Sequence, residues 1–169
     1  MTRRIGLIGL AVLVIAIVPG IAVFMLGMPG ALPVPSQKPA AMNATTQIIT
    51  RGEYLARAGD CVACHTEPGA KVFAGGRAMP GAFRNPYGPD NTPPEETGIG
   101  AWTAEDFYRM MHTGVSRDGT LLYPAMPFAS YTKVTREDSD AIYAYLMSVA
   151  PVKLKNRPHE LRFPYNQRE

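Results

Sequence analysis

The chain has 169 residues, with 17 Lys and Arg against 14 Asp and Glu, a formal charge of +3, and 16 each of Gly and Pro. That is room for one domain and an appendage, and so much Gly and Pro favours a loop-rich domain over a long-helix bundle. Arg3 and Arg4 supply two of the positive charges, so the remainder is close to neutral and lacks the basic field of a nucleic-acid binder.

The first predicted element is an apolar run. Ile5 to Met28 carries no charged side chain, which is long enough to span a bilayer as a helix. No good small-residue cleavage site follows it, so residues 1–28 read as a retained signal-anchor rather than a removed signal peptide. Pro19-Gly20 inside the run is a kink that a bilayer helix tolerates. Arg3 and Arg4 ahead of the run hold the N-terminus in the cytoplasm. The expected location is therefore the inner membrane, single-pass, with everything after residue 28 on the periplasmic side. Residues 29–46, rich in Pro, Ala, Ser and Asn, read as a semi-extended linker.

Residues 47–152 form the expected domain. Its first helix runs from about Thr46 to Ala58, with Ile48, Ile49, Gly52 and Leu55 on an apolar or small face at helical spacing. Gly59-Asp60 then leads into Cys61-Val62-Ala63-Cys64-His65, which holds both cysteines of the chain. A two-residue gap is awkward for a structural disulfide, and two Cys with one adjacent His cannot complete a four-ligand zinc site. A thioredoxin-like dithiol needs a surrounding βαβ pattern, and none is readable. The motif is that of covalent c-type haem attachment: two thiols add to the two vinyl groups of one haem, and His65 supplies an imidazole nitrogen to the iron. The exported position agrees with this.

Past the motif the chain is again rich in Gly and Pro, at Gly75-Gly76 and from Pro86 to Gly100. A second helix follows Trp102, with Thr103 as N-cap, Glu105 and Asp106 in the first turn, Phe107, Met110 and Met111 on one face, and Gly114 as the stop. The segment Leu121 to Phe128 is an apolar loop fixed by Pro124 and Pro127. It can lay the thioether of Met126 over the open haem face, making Met126 the expected sixth ligand. Met79 is a second loop methionine, placed to line the proximal side, and His112 is an alternative ligand that would lower the potential relative to His/Met. A third helix begins after Thr135, has Glu137 and Asp138 in its first turn and Ile142, Tyr145, Leu146 and Val149 as its buried stripe, and stops at Pro151. Residues 153–169 read as a locally basic, solvated tail that could also meet an acidic partner or lipid headgroups.

The order of an N-terminal helix, C-x-x-C-H, a Trp-led helix, a Met loop and a C-terminal helix resembles class I cytochrome c. The resemblance implies a mostly α, small fold of helices around one covalent haem c, here with an N-terminal transmembrane helix. It also implies a Trp that points its indole N–H at a haem propionate, matched by Trp102, a second propionate partner at Arg77, and a Pro carbonyl that orients the ligand His, assigned to Pro80. A closer similarity covers Arg51 to about Val152, through Arg51 to Thr66, Phe73 to Arg77, Glu96 to Trp102, Gly114 to Gly119 and Tyr123 to Pro127. These strings are similar to the haem domains in cytochrome c subunits of membrane-bound alcohol, gluconate and aldehyde dehydrogenases. Those subunits usually carry three such domains, whereas this chain has one C-x-x-C-H. The implied role is a non-enzymatic electron carrier that takes single electrons from a dehydrogenase and passes them to a quinone, another cytochrome or a terminal oxidase, beside membrane lipid. The competing reading is a haem-based enzyme or gas sensor with an open sixth site.

Overall fold

A computed structural model describes residues 17–18, 44–82, 84–163 and 166. The chain divides into two units, residues 1–33 and 34–169. Of the first, only Ile17 and Val18 are described, and both are helical. The expected membrane helix therefore lies outside the described residues apart from those two. Among the described residues no helix is long and apolar enough to cross a membrane.

The second unit is built on five helices and one minimal sheet among its described residues. Helix α1 spans Thr46–Ala58, the range expected from the sequence, and its N-cap Thr45 accepts from Ile48 N. The single turn α2, Cys61–His65, follows at once. Helix α3 spans Ala104–Thr113. Its start is fixed by a capping box in which Thr103 and Asp106 satisfy each other's backbone N–H, and its end by Gly114 in the left-handed conformation, φ 68°. The sequence pattern placed Glu105 and Asp106 equivalently in this turn. The structure separates them: Asp106 is buried in the box, while exposed Glu105 pairs with Arg136. The short α4, Phe128–Tyr131, has no expected counterpart, and α5, Arg136–Ser148, begins after the N-cap Thr135.

Helices α1 and α5 pack against each other, and α5 also receives α3. The α1–α5 crossing is close because Gly52 has no side chain. A Cβ there would lie 1.9 Å from the Ala141 carbonyl oxygen and 2.9 Å from Tyr145 Cβ. The buried face of α1 is Gly52 and Ala56, while Ile48, expected inside, is exposed. The buried face of α5 keeps Ile142, Tyr145 and Leu146 of the expected stripe and adds Ala141, Tyr143 and Ala144, while Val149 is the partly buried C-cap. The core joins Phe73, Ile99, Phe107, Met110 and Met111 to Ile142, Tyr143, Tyr145 and Leu146. Phe73 meets Tyr145 edge-on at 5.8 Å, and Tyr143 donates its hydroxyl to the Trp102 carbonyl at 2.8 Å.

The two strands are β1, Arg84–Asn85, and β2, Glu160–Leu161, paired antiparallel with Asn85 opposite Glu160. The segment expected to be a solvated tail is thus tied to the body over residues 152–161. Asn156, Arg157, His159 and Glu160 all contact the loop between residues 85 and 97.

Candidate haem-binding site

The site begins where α1 ends. Gly59 N–H donates to the Leu55 carbonyl, and Asp60 adopts a left-handed φ of 58°, which turns the chain into α2. One helical turn then sets Cys61 and Cys64 three residues apart on neighbouring positions of one surface. Both thiols are free and partly buried. Burial pushes the Cys61 thiol up to about 11. Burial also raises Cys64, as does the Asp60 carboxylate, while the nearby Arg77 guanidinium pulls it back down. Tyr131, on α4, donates to the Gly59 carbonyl at 2.7 Å and so ties the segment after Met126 to the entrance of α2.

His65 closes the turn. Its Nδ1 lies 2.9 Å from the Pro89 carbonyl oxygen. A carbonyl only accepts, so Nδ1 carries the proton and the Nε2 lone pair is left for another partner. Burial lowers the pKa of His65 below the ordinary histidine value, against the Pro89 bond, which raises it. The imidazole is therefore neutral at neutral pH, the form that ligates a metal.

The oriented carbonyl belongs to Pro89, which corrects the assignment to Pro80. The intervening chain explains the difference. Residues 78 and 87 form an antiparallel bridge, Met79 N–H donates to the Pro86 carbonyl, and Gly81 and Arg84 close a turn. This hairpin-like excursion carries Pro80 outward, where it is exposed, and brings Pro89 back to α2. The return is tight at Gly88, where a Cβ would lie 1.9 Å from the Cys64 carbonyl oxygen.

The other expected residues fall as follows. Trp102, Val62, Leu122, Met126 and Cys61 are partly buried and pack against the same core cluster. Met126 sits in a turn in which its N–H donates to the Tyr123 carbonyl at 3.0 Å and its carbonyl accepts from Phe128 N–H at 2.9 Å. Arg77 is half-buried, with its carbonyl accepting from Gly88 N–H. Both ring nitrogens of His112 face backbone carbonyls at 2.9 Å, those of Tyr108 and Val134, so neither is offered to a metal. Sequence reasoning missed Pro89, Tyr131 and Asn156. Pro89 was within reach, as one of several prolines after the motif, whereas nothing local marks the other two.

A cytochrome c family model matches residues 49–150. The chain belongs to the cytochrome c family. Its relatives include a nicotinate dehydrogenase subunit of Pseudomonas putida, 44% identical over 134 residues that make up 79% of this chain and 11% of that protein. The gluconate 2-dehydrogenase cytochrome c subunit of Pantoea cypripedii is 45% identical over 127 residues, 75% of this chain and 29% of that one. The fructose dehydrogenase cytochrome subunit of Gluconobacter japonicus is 40% identical over 133 residues, 78% and 27% respectively. The chain thus spans less than a third of the length of each of these relatives.

Membership of this cytochrome c family brings covalently bound haem c, and the residues present fit it. Two free thiols lie on one turn, a neutral imidazole with its Nδ1–H already engaged follows them, and a fringe of partly buried apolar side chains borders the core beside them. A large apolar body laid against such a fringe would complete its burial. Cys61 and Cys64 would form the two thioether links, and His65 would present Nε2 to the iron.

Proposed function

We propose that this cytochrome c is a membrane-anchored, monohaem electron carrier, with Cys61 and Cys64 as attachment points and His65 and Met126 as axial ligands. The observation that carries this reading is the fixed His65 tautomer: the Pro89 bond commits Nδ1 as donor and leaves Nε2 as the ligating atom, one residue after the second thiol. Haem, when bound, supplies a one-electron iron couple. The protein's part is to hold the ligands in place. Tyr131 fixes the α2 entrance, and the turn from Tyr123 to Phe128 holds Met126 at the edge of the core. Trp102 and Arg77 are the proposed propionate partners.

His65 and Met126 together would hold the iron and leave no open site for a substrate, which favours electron transfer over an enzyme or gas sensor. The names of the relatives support a dehydrogenase as donor. The acceptor is a quinone, another cytochrome or a terminal oxidase. The uncharged run from Ile5 to Met28, with Arg3 and Arg4 before it, anchors the chain in the inner membrane with its haem domain in the periplasm. Anchoring beside lipid holds the domain at high effective concentration near membrane partners.

The test is export of the full chain together with haem-attachment machinery. The expected product is a membrane-bound protein with one covalent haem and a far-red sulfur-to-iron band that Met126→Ala abolishes. A band that survives this substitution would remove Met126 from the ligand set, and recovery in the soluble periplasmic fraction would remove the anchor.

A further inference from the structure

The His65 imidazole is held by a peptide group that is itself held. The Pro89 carbonyl accepts from His65 Nδ1–H at 2.9 Å, and the N–H at the other side of the same peptide unit, that of Asp90, donates to Asn156 Oδ1 at 2.7 Å. The peptide unit is planar, so whatever fixes the N–H direction also fixes the C=O direction. Linked hydrogen bonds also polarise one another: a good acceptor on the N–H makes the carbonyl oxygen a better acceptor in turn. Asn156 is anchored in this role, because its Nδ2 donates to the Thr97 carbonyl at 2.8 Å. Just before it, Val152 N–H donates to Thr92 Oγ1 at 3.1 Å. Gly75 also lies against the peptide, where a Cβ would come within 2.6 Å of both Asp90 N and Pro89 C. The plane therefore has little room to turn.

We propose that Asn156 is a positioning residue for the haem ligand, setting through the Pro89–Asp90 peptide the strength of the hydrogen bond on His65 Nδ1–H and hence the reduction potential. The inference rests on His65 being an axial ligand. A stronger acceptor at Nδ1–H raises the basicity of Nε2. A more basic ligand favours the oxidised iron and lowers the potential. Asn156 thus holds the potential below the value the domain would have without it.

The test is a potentiometric titration of the full-length holoprotein, paired with the His65 Nδ1–H proton resonance of the reduced form. Asn156→Leu removes the acceptor. It is expected to shift the one-electron equilibrium toward the reduced form by about two- to tenfold, the range one net hydrogen bond supports, and to move the resonance upfield. Asn156→Asp gives up the Nδ2 bond to the Thr97 carbonyl but offers Asp90 N–H a charged acceptor, so it is expected to move both readouts the opposite way. Lys155→Gln makes the same one-unit change in charge at the neighbouring position, and Glu160→Ala loosens the same segment at Asn85 and Tyr87 without touching Asp90 N–H. Both are expected to leave the Nδ1–H resonance in place. Shifts of the Leu and Asp variants in the same direction, or an unmoved resonance in both, would overturn the proposal. Should Asn156→Leu not accumulate as holoprotein, Asn156→Asp decides alone, a lowered potential with a downfield resonance supporting the proposal and unchanged values overturning it. A wild-type spectrum without histidine ligation would instead sink the underlying assignment of His65.

Discussion

Gly52→Ala is the sharpest test of the packing. In an isolated helix the change is favourable, by about 1 kcal/mol of propensity. At this crossing it is not, because the new methyl would sit 1.9 Å from the Ala141 carbonyl oxygen, 2.6 Å from the carbonyl carbon and 2.9 Å from Tyr145 Cβ. Two of those three atoms are backbone and cannot rotate away. Relief therefore requires α1 and α5 to separate by roughly 1 Å or more to regain ordinary contact, which also loosens Ala56 and Tyr145 in the shared core. Overpacking in a well-filled interior costs about 1–3 kcal/mol and occasionally more. A clash with backbone belongs at the upper end, so the cost exceeds the propensity gain. The net expectation is a loss of about 1–3 kcal/mol, or a melting temperature lowered by about 4–15 °C for a domain of this size. The assay is thermal unfolding of the holoprotein followed by helical circular dichroism. An unchanged or raised melting temperature would refute the close crossing.

Four further outcomes follow from the same structure. Thr103→Ala removes one half of the capping box and is expected to cost about 1 kcal/mol in denaturant unfolding. Tyr131→Phe removes the hydroxyl that bonds the Gly59 carbonyl and is expected to cost a similar amount, about 1 kcal/mol, without changing the spectrum. A Cys61→Ala, Cys64→Ala protein, unable to hold haem covalently, is expected to lose cooperative unfolding, because the partly buried fringe beside the site has nothing to cover it; a fully helical, cooperative variant would contradict this. Glu160 is held below its ordinary carboxyl pKa of 4.5, by Asn85 first and then Tyr87. Its bonds to the body are therefore fully present above pH 4.5 and are lost as the pH falls through the lower folded value. Protection of the amides across the pairing of Asn85 with Glu160, taken relative to the intrinsic exchange rate at each pH, should fall on acidification in the wild type and show no such step in Glu160→Gln.

What was legible in the sequence was what local chemistry decides. Thr103, Thr135 and Gly114 mark helix ends through bonds that reach three or four residues, and all three act as expected. The haem motif is contiguous and needs no fold to be recognised. What was not legible depends on contacts between distant parts of the chain. Pro80 is nearer the motif than Pro89, and only the excursion between residues 78 and 87 shows why the later proline returns. Asn156 and His159 lie in a stretch whose Lys, Arg and Pro content resembles any solvated tail. Their partners, Asp90, Thr97 and Tyr87, are more than fifty residues earlier. The inward turn of Ala56 and the outward turn of Ile48 have a similar origin, because the register of α1 is set by where Gly52 lets α5 approach.

The proposed function turns on a closed, six-coordinate haem that only exchanges electrons. The most direct measurement is the visible spectrum of the reduced holoprotein before and after carbon monoxide, followed by reoxidation. The expected result is a c-type reduced spectrum unmoved by carbon monoxide in the wild type, a ready adduct in Met126→Ala, and return to the starting oxidised spectrum after one electron is removed. A prompt carbon monoxide adduct in the wild type would contradict it, and would make the protein a haem enzyme or gas sensor instead.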